Sequence, residues 1–157
     1  MNSMMPIRIL LVDDEQGFVE TLARRLESRG YQANYVLSGE EALLFLDENK
    51  AIDVVLLDVK MPGLDGIETL RQIKAADPLI EIIMLTAHGT IPTGVEAMRM
   101  GAHDFLLKPC NLAELKDKVE TAAKRKRERE TKIADVRVRP YITDREKEAL
   151  IAAILAS

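Results

Sequence analysis

A chain of 157 residues has the size of one compact domain with a short appendage. Hydrophobic residues, 47% of the total, are enough to cover a sheet on both faces, and a formal net charge of −4 is not that of a nucleic-acid binder. The single cysteine, Cys110, excludes an internal disulfide and fits a reduced, cytoplasmic setting, and the absence of tryptophan leaves no aromatic platform for single-stranded nucleic acid.

The N-terminal stretch MNSMMPIRILLVDDE carries an apolar run too short for a signal peptide or a membrane span, so no membrane association is expected. Residues 7–12 form the first short apolar run, which stops at Asp13, Asp14 and Glu15. Phe18, Leu22 and Leu26 then follow helical spacing, with Gly30 placed as a C-terminal cap. A weaker strand covers 32–37, and Ser38 to Glu41 reads as a capping box opening a helix that carries Ala42, Leu43 and Leu46.

The run at 53–57 stops at Asp58. Pro62, Gly63 and Gly66 shape the loop that follows, and a helix with Ile67, Leu70 and Ile73 ends before Pro78. The run at 81–85 stops at Thr86, and a helix with Val95 and Met98 is closed by Gly101. The run at 104–107 stops at Lys108, and Asn111 caps a last helix bearing Leu112, Leu115, Val119 and Ala122.

Short β-branched apolar runs read as strands buried on both faces, and five strand–helix alternations mean βαβ units and a parallel sheet. Ligands of such sheets bind beyond the carboxyl ends of the strands. Asp13, Asp14, Asp58, Thr86 and Lys108 all fall at those ends, so they should converge on one rim. Three carboxylates in one small site repel each other unless a cation joins them. All-oxygen ligands point to a hard ion, with Mg²⁺ the abundant choice. Lys108 adds a compact positive charge and Thr86 a hydroxyl donor. Such a set can accept a phosphoryl group, with Asp58 as nucleophile and the metal and Lys108 neutralising the equatorial oxygens.

The segments LLVDDE, LLDVKMPGLDGIE, MLTAHG and GAHDFLLKP, in this order and spacing over residues 5–125, resemble the receiver domains of bacterial response regulators. The resemblance implies a CheY-like α/β fold: a five-stranded parallel sheet with flanking helices, here with a C-terminal helical extension at 126–157. It implies Asp58 as phosphoacceptor, and Mg²⁺ held by Asp13, Asp14, Asp58 and the backbone carbonyl of Lys60. Thr86 and Phe105 become a switch pair, Lys108 a phosphoryl contact, and the Lys108–Pro109 bond a cis peptide. The implied partner is a sensor histidine kinase or a histidine phosphotransfer protein. Homodimerisation would use the face of the fourth helix, fifth strand and fifth helix.

Two other functions compete. An aspartate-nucleophile phosphatase would want an acid two residues after its nucleophile, where Lys60 stands. A phosphorylation-independent interaction module would have lost Asp58, Lys108 or the acid pair, and all are present.

Among the remaining residues, His88 reads as a surface histidine near the site edge, while His103 and Cys110 read as structural. The basic tract KRKRERETK at 124–132 reads as a solvated continuation of the last helix, with Glu128 and Glu130 giving i,i+4 pairs. Pro140 breaks that helix, and Thr143 to Glu146 opens another as a capping box. YITDREKEALIAAIL resembles the opening of a LuxR-type helix-turn-helix module, so 126–157 is either a helical extension or the start of a truncated output module. DNA would be a partner only through an output domain missing from the chain.

Overall fold

The structure, a computed structural model, describes residues 5–87 and 89–157. His88 and residues 1–4 lie outside them. Eleven elements follow in chain order: β1 (Arg8–Val12), α1 (Gln16–Glu27), β2 (Gln32–Val36), α2 (Gly39–Glu48), β3 (Val54–Leu57), α3 (Gly66–Ala76), β4 (Glu81–Thr86), α4 (Ile91–Arg99), β5 (Asp104–Leu107), α5 (Leu112–Arg137) and α6 (Asp144–Ala156). All strand pairs are parallel, in the order β2-β1-β3-β4-β5.

Period-two alternation divides the strand side chains between two cores. Ile9, Leu11, Val54, Leu56, Ile83 and Leu85 pack with α1 and α5 on one face. Leu10, Val12, Val55, Leu57, Ile82 and Met84 pack with α2, α3 and α4 residues on the other. Because both faces are covered, β3 and β4 are buried along their whole length, which is why they read as unbroken apolar runs. Each fully buried aliphatic side chain contributes about 1.5–3 kcal/mol.

Local chemistry sets the helix ends. Ser38, Asp65, Thr90 and Asn111 each accept a hydrogen bond from the amide three residues on. Gly30, Gly63 and Gly101 take positive φ, the left-handed conformation that side chains resist. Ser38 forms its half of the box expected with Glu41, accepting from the Glu41 amide at 3.1 Å, and the neighbouring Glu40 accepts from the Leu64 amide at 3.2 Å.

Helix α5 runs unbroken from Leu112 to Arg137, so the basic tract continues it. One feature departs from the sequence reading. The tract is not simply solvated: Lys126 and Arg129 are only 4% and 5% exposed. They neutralise two acids at the amino ends of the strands. Asp53 is paired by Lys126 (3.2 Å) and Arg127 (3.0 Å), and the fully buried Glu81 by Arg125 (3.4 Å) and Arg129 (3.3 Å). The expected i,i+4 pairing survives as Lys126–Glu130 at 3.2 Å.

The same two arginines hold α6. Arg129 donates to the Leu155 carbonyl at 2.6 Å and Arg125 to that of Ser157 at 2.8 Å, while Lys147 donates to the Arg137 carbonyl at 2.9 Å. These contacts run in opposite chain directions, so α6 folds back antiparallel along α5. Its start carries the expected box, with Thr143 and Glu146 satisfying each other's amides. No described helix is long and apolar enough to cross a membrane.

Candidate functional site

Parallel pairing brings the carboxyl ends of β1, β3, β4 and β5 to one rim. Backbone bonds continue the ladder there: the Asp58 amide donates to the Val12 carbonyl at 2.9 Å, and the Lys108 amide to the Thr86 carbonyl at 2.8 Å. Asp13 and Asp14 thus leave β1 beside Asp58, which leaves β3. Each of the three carboxylates offers an oxygen, and these oxygens lie within 4.8 Å of one another. Asp13 and Asp58 are buried and Asp14 is exposed. Thr86, fully buried, closes β4.

Lys108 reaches in from β5. Its ammonium sits 2.5 Å from Asp13 Oδ2, 3.2 Å from Glu15 Oε1 and 4.0 Å from the centroid of the Phe18 ring. Burial disfavours its charge, but the Asp13 carboxylate, followed by Asp58 and Glu15, outweighs that and holds its pKa above the ordinary lysine value. The Asp13 carboxyl is pushed upward mainly by burial. Lys108 and the Glu15 amide (2.9 Å) oppose the shift, and Asp58 adds a smaller push in the same direction.

The residues present fit a hard cation. Three carboxylate oxygens converge, and Asp58 Oδ1 is buried with no hydrogen-bond partner among the described residues. A buried, unpaired carboxylate oxygen is costly unless a positive centre meets it. Lys60 is exposed in the loop after β3, its carbonyl two residues beyond Asp58. The Lys108–Pro109 peptide is cis.

A model of the response regulator receiver domain matches residues 9–120. The chain belongs to the response-regulator receiver family. The receiver is 41% identical over 122 residues to the transcriptional regulatory protein ZraR of Salmonella typhimurium (strain LT2), a match covering 78% of this chain and 27% of ZraR. It superimposes on a response regulator receiver domain protein from Clostridium thermocellum with a TM-score of 0.74 and 36% identity, over 77% of this chain and 97% of that one. A chain of the CheX–CheY–BeF₃–Mg²⁺ complex from Borrelia burgdorferi matches with a TM-score of 0.72 and 30% identity, over 76% and 91%. The receiver thus spans about a quarter of the length of ZraR. Domains of its family are the phosphoacceptors of two-component signalling.

Phe105 of the receiver is half-buried. It packs against the core under α2–α4 and lines a groove of about 810 Å³ with Gly89, Gly94, Val95 and Leu107. A Cβ at Gly89 would stand 2.2 Å from Leu107 Cδ2 and 2.7 Å from Phe105 Cε1, so a side chain there would require Leu107 and Phe105 to shift.

Three parts of the site escaped sequence reasoning. Glu15 and Phe18 hold Lys108, and their only signal was their position just after the acid pair. Gly66 does more than shape a loop: a Cβ there would stand 2.0 Å from the Asp58 carbonyl oxygen and 2.7 Å from Val59 Cα, both backbone atoms that cannot swing aside. Gly66→Ala is expected to cost about 1–3 kcal/mol in urea unfolding and to displace the Asp58 loop. An unchanged denaturation midpoint would contradict this close approach.

Proposed function

We propose that Asp58 accepts a phosphoryl group from a phosphohistidine on a sensor histidine kinase or a histidine phosphotransfer protein, and that the receiver switches conformation in response. The observation that carries this reading is the buried Asp58 Oδ1, unpartnered among the described residues, beside two further carboxylates and within the field of an ammonium. Asp13, Asp14, Asp58 and the Lys60 carbonyl would hold Mg²⁺, which would supply charge neutralisation for the incoming phosphoryl oxygens. The beryllofluoride and magnesium of the Borrelia complex support that assignment by similarity.

Attack by the Asp58 carboxylate oxygen makes an acyl phosphate and releases the donor imidazole. Lys108 binds an equatorial oxygen, and Thr86 donates its hydroxyl to another. A phosphoryl group brings roughly −1.5 to −2 charges to a site where one carboxylate stood. Thr86 then moves toward it, and Phe105 turns into the vacated space. Shifting two packings from 1:99 to 99:1 takes about 5.5 kcal/mol, more than one hydrogen bond supplies. Thr86 and Lys108 therefore act together, with the charge neutralisation that a bound metal would supply. Hydrolysis of the acyl phosphate by the receiver itself resets the switch.

The same reading assigns residues 5–125 to the receiver proper and 126–157 to a helical extension or the start of a longer output module. It places the protein in the cytoplasm, with DNA a partner only through a further domain. The groove between α4 and β5, with Ile91, Val95, Met98 and Leu107 exposed, supports homodimerisation through the α4–β5–α5 face.

Incubation with Mg²⁺ and acetyl phosphate should give a mass adduct that peptide mapping locates on Asp58. An adduct elsewhere, or none, ends the reading. Metal binding should also register in stability: Mg²⁺ at a hundred times its Kd adds about 2.7 kcal/mol, read as a rise in urea midpoint that EDTA reverses. Asp13→Asn should lose most of that increment. A wild-type midpoint indifferent to Mg²⁺ would count against the metal site.

A further inference from the structure

We propose that Phe18 is a positioning residue for Lys108, its ring face holding the ammonium in place for an oxygen of the group carried on Asp58. This inference rests on the phosphoacceptor reading of the site. A lysine head is a point charge on a flexible four-carbon stem, so something must hold it for the charge to be pre-organised.

Among the described residues three groups touch the Lys108 ammonium, and they are not equivalent. Asp13 is the nearest, but it is also one of the three carboxylates that converge on the cation site, where its charge is shared. Glu15 lies at 3.2 Å with its side chain 64% exposed, and water screens so open an ion pair to little worth. Phe18 differs from both. Its ring centroid is 4.0 Å from Nζ, within cation–π range, and the ring is half-buried against the core between the sheet, α1 and α5. A neutral ring offers the same negative face whether or not Asp13 is engaged by a metal. It also costs the ammonium none of the charge that the phosphoryl oxygens need.

The alternative role, core filling alone, makes a different prediction. Leucine at position 18 keeps an apolar side chain against the α1–α5 core and removes the π face, whereas tyrosine keeps the face. The test follows Lys108 in lysine-labelled protein by NMR, assigned with Lys108→Arg, alongside beryllofluoride titration in Mg²⁺. In the wild type the Lys108 ε-methylene should show the upfield ring-current shift of a group above an aromatic face.

Phe18→Leu should abolish the shift and weaken beryllofluoride binding about two- to fivefold, and Phe18→Tyr should restore both. Normal wild-type binding with Phe18→Leu unchanged in affinity would overturn the positioning role alone, as would Phe18→Tyr behaving like Phe18→Leu. Absence of Asp58-dependent binding in the wild type would overturn the phosphoacceptor reading and this one with it.

Discussion

Asp58→Asn should take up no phosphoryl group from acetyl phosphate and bind no beryllofluoride, yet unfold at higher urea than the wild type when both are held in EDTA. Loss of the adduct follows because an amide oxygen is no nucleophile toward phosphorus and carries no charge for a cation. The gain in stability follows from the same geometry. Asp58 is buried, close to two like-charged carboxylates, with Oδ1 unpartnered among the described residues. Asparagine has the same shape, removes one negative charge, and brings an NH₂ able to donate to Asp13 or Asp14. The increment should be about 1–2 kcal/mol, and saturating Mg²⁺ should erase it by stabilising only the wild type. An Asp58→Asn protein less stable than wild type in EDTA would mean that the three carboxylates are not in mutual conflict.

At the opposite rim, Glu81→Ala should be severely destabilising, by about 3–5 kcal/mol in urea unfolding. Glu81 is completely buried at the first position of β4 and is held by Arg125 and Arg129. Its removal leaves the Arg129 guanidinium buried with no carboxylate. The damage should spread to α6, whose last turn hangs from the same two arginines through the Leu155 and Ser157 carbonyls. Hydrogen exchange should therefore show α6 amides losing protection before those of β3. Asp47→Ala is the control: its partner Lys50 is 76% exposed, and the change should stay within about 0.5 kcal/mol. A loss below about 1 kcal/mol for Glu81→Ala would show that α5 and α6 do not depend on this pairing.

The contrast between the two rims explains what the amino-acid sequence reveals. A strand buried on both faces can place polar residues only at its ends, so Asp58 and Thr86 stand out against the runs that precede them; Lys108 follows the shorter apolar run of the edge strand β5, and parallel pairing aligns all three ends. The basic tract of α5 carries no such signature. Lys126 and Arg129 look like an ordinary wet helix surface until their partners are known, and those partners, Asp53 and Glu81, lie 73 and 48 residues away. A hint existed in the two acids themselves, each opening an apolar strand where a buried charge needs a cation. Phe18 was legible as a helical core position, but its contact with Lys108, 90 positions on, depends on how α1 leaves the first strand.

The pairing of Asp53 and Glu81 with four cations of α5 has a mechanical consequence. Strands β3 and β4 are bolted through their leading residues to one long rod, and the rod carries its own folded-back brace. These ion pairs lie at the end of the strands opposite the one where Asp58 and Thr86 emerge. A rearrangement of the Asp58 and Thr86 loops therefore need not break any of them.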